Sequence, residues 1–183
     1  YYEKQQQKTA SAAINVAQLV KIIAYDPAKM TVDVQPISKR LDQGSYESQP
    51  PILSVPVSCQ RGGGFAMRVN YKPGDVGSVI FCDHDIDNAV AGGAEGEPNT
   101  ERNHSSSDAV FMGGIATGGG GVSGLPDGFA IGTDDGSIYL AVTDSGIVIL
   151  GDVEITGNLT VTGDITATGD VVAGGISLKN HTH

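Results

Sequence analysis

Residues 151–183 read GDVEITGNLTVTGDITATGDVVAGGISLKNHTH, and this stretch decides the predicted fold. Glycine recurs every sixth residue from Gly151 to Gly175, and apolar side chains alternate between the glycines. Such alternation over a short run is typical of a β-strand with one buried face. One short strand cannot bury that face alone, so the repeat requires stacked neighbours. The side chains predicted to form the buried face are Val153, Ile155, Leu159, Val161, Ile165 and Val171.

Two architectures supply stacked neighbours for the hexads. A single chain can coil into a left-handed solenoid, as in hexapeptide-repeat acyltransferases, but few hexads are present for an array that needs several repeats. Those enzymes also favour an aliphatic residue before each glycine, whereas threonine stands there at Thr156, Thr162 and Thr168. Alternatively, three chains wind about a threefold axis and leave few open strand edges. The pattern favours this intertwined trimeric β-helix needle.

The two histidines that follow the repeat are candidate metal ligands. His181 and His183 are two residues apart, so in a strand both side chains point to the same face. On a threefold axis, three such pairs place six imidazoles together. Six nitrogens suit an octahedral ion such as iron or nickel better than zinc, whose sites are mostly tetrahedral. The alternative interpretation is a frayed polar terminus, which is common at chain ends.

Composition bounds the function classes. The 183 residues include 26 glycines and no tryptophan, which fits turn-rich β structure. The formal charge of −10 argues against nucleic acid as a partner, since that affinity rests on Lys and Arg. No apolar run is long enough to span a bilayer. Cys59 and Cys82 are too few for a disulfide framework, so we expect two reduced, partly buried thiols in a protein made in the cytoplasm.

The first hundred residues predict a small closed barrel. Short alternating runs are separated by turn signals such as Asp26-Pro27-Ala28-Lys29 and Lys72-Pro73-Gly74-Asp75, a pattern typical of an OB-fold-like barrel. Residues 16–25 and 30–34 predict a hairpin about the first of these turns, and residues 65–71 predict a further strand. The glycine-rich stretch after the barrel is interpreted as a linker, and beyond it residues 129–131, 137–142 and 146–150 predict short strands. The predicted organisation is therefore all-β, with an N-terminal arm at residues 1–14, a barrel at 15–116, a linker at 117–125, and a trimeric stem with a metal-capped tip at 126–183.

Two further segments carry residue types that are found in ligand sites. Arg61-Gly62-Gly63-Gly64-Phe65 lacks the spacing of a phosphate-binding loop, so we interpret it as a tight backbone passage in the barrel. Asp83-His84-Asp85-Ile86-Asp87 directly follows a predicted strand, and we interpret it as a solvated loop at the barrel rim rather than a metal or carboxylate site. No nucleophile elbow is present, so we do not expect an enzyme.

The order of several segments resembles the central baseplate spikes of contractile-tailed bacteriophages, of the baseplate assembly protein V type. The Gly-Asp hexads and His181-Thr182-His183 are similar to the needle and metal-binding tip of that family. The similar segments in the barrel are Val32-Asp33-Val34-Gln35-Pro36, Pro50-Pro51-Ile52-Leu53, Val55-Pro56-Val57, Arg61-Gly62-Gly63-Gly64-Phe65, Lys72-Pro73-Gly74-Asp75, Asp85-Ile86-Asp87-Asn88 and Ser107-Asp108-Ala109-Val110-Phe111.

The resemblance implies a structural virion protein in the tail baseplate. It implies a homotrimer whose barrel docks on baseplate hub proteins and whose needle transiently crosses the host outer membrane. It also implies one iron ion per trimer, held by His181 and His183 of three chains. Two alternatives from other classes stay open: a β-helix acyltransferase, and a single-strand nucleic-acid binder that uses the barrel. The acidic charge and low aromatic content oppose the second, because such sites combine positive grooves with stacking rings.

Overall fold

The computed structural model describes residues 14–118 and 120–180, and this part of the chain is mostly β. It contains one short α-helix, α1 (Asp87–Gly92), and one 3-10 helix (Ser106–Asp108). The all-β prediction is confirmed at this level. The strands are β1 (Ala17–Asp26), β2 (Thr31–Pro36), β3 (Arg40–Asp42), β4 (Ser45–Glu47), β5 (Ile52–Pro56), β6 (Gln60–Gly62), β7 (Phe65–Met67), β8 (Val76–Phe81), β9 (Ala109–Gly114), β10 (Phe129–Gly132), β11 (Tyr139–Thr143), β12 (Gly146–Leu150), β13 (Val172–Ala173) and β14 (Ile176–Ser177).

The described residues divide into two compact units, one ending at Gly121 and the other beginning at Val122. In the first unit, five strands form an antiparallel sheet in the order β5-β2-β1-β8-β9. The predicted β1–β2 hairpin is present. Its turn is closed by Asp26, whose Oδ1 accepts hydrogen bonds from the backbone nitrogens of Ala28 at 2.9 Å and Lys29 at 3.1 Å.

The five-stranded sheet curls into a half-barrel whose two edges approach each other. Val57, just after β5, forms a parallel bridge with Phe111 in β9. The backbone nitrogen of Ser58 donates to the carbonyl oxygen of Phe111 at 2.8 Å. The predicted turn at residues 72–75 sits against β1, because the nitrogen of Gly74 donates to the carbonyl of Ile22 at 2.9 Å.

The core of the first unit lies inside this curl. Phe111 is fully buried, and the ring of Tyr71 meets it edge-on with centroids 5.2 Å apart. Gly77 in β8 lies under the Phe111 ring, where an added Cβ would overlap the ring and the carbonyl oxygen of Gly113. The alternating pattern of the strands supplies the other core residues. The core consists of Val20, Ile22, Val32, Val34, Val55, Val79, Phe81, Ala109 and Phe111.

Two small hairpins extend from this unit, and all of their strand residues are exposed: β3–β4 and β6–β7. The β6–β7 hairpin corrects two predictions. The glycine-rich segment at residues 61–65 is the tip of a hairpin and not a passage within the barrel, because Gly63 and Gly64 both have positive φ, as a two-residue turn requires. The strand expected from Phe65 to Tyr71 ends at Met67.

The second unit begins with a three-stranded antiparallel meander, in the order β10-β11-β12, at the places that the sequence predicts. From Gly151 to Val171 the single chain has bends but no strand or pairing. The chain then forms the β13–β14 hairpin, with Gly174 and Gly175 at positive φ in its turn. The intertwined needle is a property of three chains and stays a prediction, as do the domain boundaries. The predicted arm, apart from Ile14, lies outside the described residues.

α1 is only six residues long. Across residues 14–118 and 120–180, no helix has the length and apolar character needed to cross a membrane.

Candidate functional site

One face of the β10-β11-β12 meander is apolar and uncovered in the single chain. Residues directly opposite each other in an antiparallel sheet share a face. The pairing therefore places two rows of three side chains on one face. The strands bury none of these six large side chains. This open face consists of Phe129, Val142 and Ile147 in one row and Ile131, Leu140 and Ile149 in the other.

The opposite face of the meander is partly covered by its own unit. Ala141 is fully buried there, and its neighbours Ala130 and Tyr139 are half-buried. Leu125 packs beside Gly132. A Cβ added to Gly132 would lie 2.9 Å from Cδ2 of Leu125. Val148 and Leu150 on this face are 40% and 44% exposed, so the single chain covers this side of the sheet mainly around Ala141.

The six predicted stem-core residues continue this uncovered apolar surface along the chain. Leu159 is 68% exposed and Ile165 is 71% exposed, values that a soluble chain seldom gives to a whole series of aliphatic residues. In the part of the second unit that the structure describes, Ala141 is the one hydrophobic residue classed as buried. These predicted core residues follow one another along the chain, and the structure does not gather them into a core. All six are exposed: Val153, Ile155, Leu159, Val161, Ile165 and Val171.

The predicted metal ligands His181 and His183 lie outside the described residues. Just before them the chain reverses at the β13–β14 hairpin, so that the backbone nitrogen of Leu178 donates to the carbonyl of Val171 at 2.9 Å. Asp170 stabilises this hairpin through hydrogen bonds. The Ser177 hydroxyl and the backbone N–H of Lys179 donate to its carboxylate and lower its pKa. The Gly-Gly pair that makes this hairpin interrupts the six-residue repeat.

The turn between β10 and β11 is held by a second carboxylate. Asp135 accepts hydrogen bonds from the Thr133 hydroxyl at 2.6 Å and from the backbone nitrogen of Ser137 at 3.0 Å. These donors lower the pKa of Asp135 to about 2. The turn is therefore fixed by local bonds that do not depend on packing, and it sets the register of the open face.

The first unit contains an ion cluster around Arg102. Its guanidinium holds Asp108 through two hydrogen bonds, Nε to Oδ2 at 2.7 Å and Nη2 to Oδ1 at 2.9 Å. Nη2 also lies 2.9 Å from Oδ2 of Asp87 and 3.2 Å from Oδ1 of Asp85. The side chains of Asp85 and Asp108 are completely inaccessible to solvent. The interpretation of residues 83–87 as a solvated loop is therefore wrong for Asp85.

The carboxylates of the Arg102 cluster also accept bonds from the loop itself. Asp108 accepts from the backbone nitrogen of Ile86 at 3.0 Å, and Asp85 accepts from the hydroxyl of Thr100 at 2.8 Å. The Arg102 bonds come first among the causes that lower the pKa of Asp108. For Asp85, the backbone N–H of Asp87 comes first, and Thr100 and Arg102 lower its pKa further.

The Arg102 cluster is a structural site. Oxygens of Asp85, Asp87 and Asp108 lie within 4.8 Å of one another, which is the spacing of a cation site. The Arg102 guanidinium, however, contacts all three carboxylates and occupies the position where a cation would be needed. The cluster therefore joins the two ends of the long loop between β8 and β9 to each other, since Asp85 and Asp87 lie near its start and Asp108 is its last residue. Sequence reasoning missed it because no spacing rule links Arg102 to Asp85.

Both cysteines are free, and both are partly buried, as the sequence predicts. Burial comes first among the causes that raise the pKa of Cys82, and the carboxylates of Asp108 and Asp83 raise it further.

Comparison with known families identifies the first unit. The model of a family described as "Phage protein Gp138 N-terminal domain" matches residues 20–114, which is just over half of the chain. The matched range begins in β1 and ends at the last residue of β9, so it covers the curled sheet apart from the first three residues of β1. A search of curated proteins found no match. The chain belongs to this phage protein family, and the prediction of a bacteriophage protein is confirmed. The match supports a structural role in the virion.

Proposed function

We propose that this phage protein is the homotrimeric central spike of a contractile tail baseplate and punctures the host outer membrane during infection. In this proposal the first unit is an OB-type barrel and the second unit is an intertwined β-helix needle. The family match supports a phage structural protein. The proposal of a needle is based on the apolar side chains that the second unit exposes.

The observation that carries the proposal is the uncovered apolar surface of the second unit. The open face of the meander and the six hexad positions expose large aliphatic side chains in an unbroken series along the sequence. A contiguous exposed apolar surface of this kind marks a protein interface. The hexads are unpaired in the single copy, and the strands of an intertwined needle take their pairing partners from other chains. Three copies therefore complete what one copy leaves open.

The energies favour assembly. Burying one large aliphatic side chain is worth about 1.5–3 kcal/mol. The six side chains of the open face are together comparable with the roughly 4–15 kcal/mol that association costs. The six hexad positions add burial of the same size, and three copies contribute together. Burial of apolar side chains in the second unit therefore supports the proposed assembly.

The tip of the needle is a separate part of the proposal. His181 and His183 of three chains would supply six imidazole nitrogens, which suit one octahedral iron ion. Six protein ligands leave no open position for substrate, so the ion would have a structural role. Elemental analysis should find about one iron per three chains, the ratio that six histidine ligands to one octahedral ion imply. The His181→Ala, His183→Ala double variant should lose the iron and remain trimeric, whereas iron retained in that variant would contradict this assignment.

The remaining partners follow from the same architecture. The first unit would dock on baseplate hub proteins, and the stem would meet the host outer membrane transiently. No catalytic activity belongs to the proposal. The basis for the acyltransferase alternative is the hexad repeat, and an acetyl-CoA turnover assay on the purified chain would distinguish it from a spike.

Labelling of intact virions tests the spike assignment. Gold-conjugated antibodies against residues 14–118 should mark the centre of the baseplate in electron micrographs of phage tails. A virion that lacks the chain should assemble a tail yet fail to release its DNA into cells. Label along the capsid or the tail fibres, or full infectivity without the chain, would contradict the assignment.

A further inference from the structure

The outer edge of β12 has no strand partner in the part of the chain that the structure describes. β12 pairs with β11 on one side and is the last strand of its sheet. All five of its residues are exposed, from Gly146 to Leu150. Proteins usually protect a free strand edge with proline, lysine or another charged residue, and β12 has none of these. The edge is therefore ready to pair with a strand from elsewhere.

The first hexad after β12 is a second run without a strand partner. Residues 152–156 alternate polar and apolar side chains, and among the described residues they belong to no strand or bridge. Val153 and Ile155 are 59% and 54% exposed. Only Gly151 separates this run from β12. Two unpaired runs with the pattern of strands therefore follow each other directly in the chain.

The alternation of side chains opposes a hairpin between these two runs. In the β11–β12 hairpin, a two-residue turn sets the residues on either side of it opposite each other. A two-residue turn at residues 151–152 would likewise set Val153 opposite Leu150. Leu150 lies on the other side of the sheet from Ile147 and Ile149, because successive side chains of a strand alternate. Such a hairpin would therefore turn Val153 away from the open face.

The same alternation favours a chain that continues onto another sheet. Ile147, Ile149, Val153 and Ile155 are separated by even numbers of residues, so they share one face when the chain is extended. Gly151 lies between the two pairs with a φ of 122°, a value that favours glycine. From Gly151 to Val171 the chain does not return to pair with its own sheet. The partner of the β12 edge therefore comes from another copy.

Threefold symmetry selects which segment of another copy this is. Rotation about the axis of the proposed homotrimer places the three β12 strands, and the three copies of residues 152–156, at the same level along the axis. A neighbouring strand lies only about 4.8 Å away in a sheet, a distance that one or two residues span. Pairing of β12 with β12 would join edges two at a time and leave one of the three open. Pairing with the first hexad serves all three edges.

We propose that the outer edge of β12 in one copy pairs with residues 152–156 of the next copy, an inference that rests on the proposed homotrimer. Each copy gives one hexad and receives one, so the contact is heterologous and closes after three copies. Val153 and Ile155 then extend the open face inside the stem, and Glu154 lies on the outside with Val148. Gly151 is the point at which strand pairing changes from within one copy to between copies.

Cysteine cross-linking of the full-length chain tests this pairing. Val148→Cys would be combined in turn with Asp152→Cys, Glu154→Cys and Thr156→Cys, which share the outer side of the proposed sheet and cover its registers. A disulfide needs Cα atoms about 4.4–6.8 Å apart, so only residues on adjacent strands react. After oxidation, at least one of the three pairs should give a covalent trimer on a denaturing gel, and reduction should return it to single chains.

The controls separate this pairing from its alternatives. All variants carry Cys59→Ser and Cys82→Ala, so that the introduced thiols alone react. Val148→Cys by itself should give no product, whereas a covalent dimer from it would show that β12 pairs with β12. Ala130 lies on the same face as Val148, in the other outer strand. A covalent trimer from Ala130→Cys with Val148→Cys would show that β12 pairs with β10 instead.

Native mass of each reduced variant, measured before oxidation, distinguishes failure of the pairing from failure of the trimer. A trimer in which none of the three test pairs forms a bond between chains would overturn the strand pairing and leave the homotrimer standing. The same holds for a trimer in which the bond forms within one chain, because β12 would then pair with its own hexad. A monomer in every variant and in the wild type would overturn the homotrimer, and the strand pairing with it.

Discussion

Arg102 is the residue on which the loop between β8 and β9 depends. Its guanidinium is the shared partner of two carboxylates that solvent does not reach. Removing one partner of a buried ion pair is destabilising because the other charge is left without compensation. The Arg102→Met variant should therefore melt at a lower temperature than the wild type at pH 7, and Arg102→Lys should lie between them because lysine keeps the charge but loses the bidentate geometry. Equal melting temperatures at pH 7 would contradict this role.

The same residue predicts how stability depends on pH. The pKa values of Asp85 and Asp108 are lowered in the fold from the free carboxyl value of 3.8. A lowered pKa means that the ionised form stabilises the fold, so this stabilisation is present above the unfolded pKa and is lost as pH falls through the folded pKa. Thermal melts between pH 7 and pH 3 should show this loss. In Arg102→Met the loss should be smaller, since the guanidinium comes first among the groups that lower the pKa of Asp108 and, after the Asp87 N–H and Thr100, adds to the lowering for Asp85. A loss of the same size in the variant would show that Arg102 does not cause it.

Gly77 shows a different constraint at the residue scale. The Phe111 ring occupies the position that a side chain at residue 77 would need. Gly77→Val should destabilise the first unit by about 1–3 kcal/mol, the usual cost of overpacking a filled core. Gly96→Ala is the matched control, because an added Cβ there meets no atom within 4 Å. Urea unfolding of the two variants measures the difference, and equal midpoints would contradict the packing at Gly77.

At the scale of elements, the strands that could be predicted from the sequence are those with a clear alternation of apolar residues and a recognisable turn. The alternation at Val32 and Val34, and the turn at Asp26, were sufficient to place the β1–β2 hairpin, since side-chain pattern and turn chemistry agree there. The β6–β7 hairpin was missed because its strands are exposed and too short for a pattern. The Gly174-Gly175 turn was missed because Gly175 stands where the six-residue repeat expects a glycine, so the hairpin turn could not be distinguished from the repeat.

The Arg102 cluster could not be predicted from the sequence. Arg102 lies 17 residues from Asp85 along the chain, within a loop without periodicity, so only the fold brings them together. The predicted stem residues show the converse. Their alternation predicts which side chains require burial, and in the part of the chain that the structure describes all six are exposed.

The hexads predict a specific result for charge substitution. Leu159→Asp would place a carboxylate in each copy on the buried axis of the proposed needle, which is costly without a partner, so the variant should fail to assemble. Asn158→Asp adds the same charge one residue away and restores the Gly-Asp pattern of the other hexads, so it should assemble normally. Sedimentation velocity measures both variants. Assembly of Leu159→Asp, or failure of Asn158→Asp, would contradict the proposed core of the stem.

At the scale of the whole molecule, the two units have opposite characters. The first unit closes its own core around Phe111 and Ile22 and matches a phage family by itself. The second unit leaves the open face and the hexads without cover. We therefore propose that the first unit is complete in one copy and that the second unit depends on other copies. That dependence is the central claim about this protein.

Native mass of the full-length chain tests that claim most directly. We expect a single species of three times the 18.8 kDa chain mass, with no monomer at micromolar concentration. Far-ultraviolet circular dichroism of the same sample should show a β-rich fold. A stable 18.8 kDa monomer with the same β content would contradict the account, because its apolar surface would then need no partner.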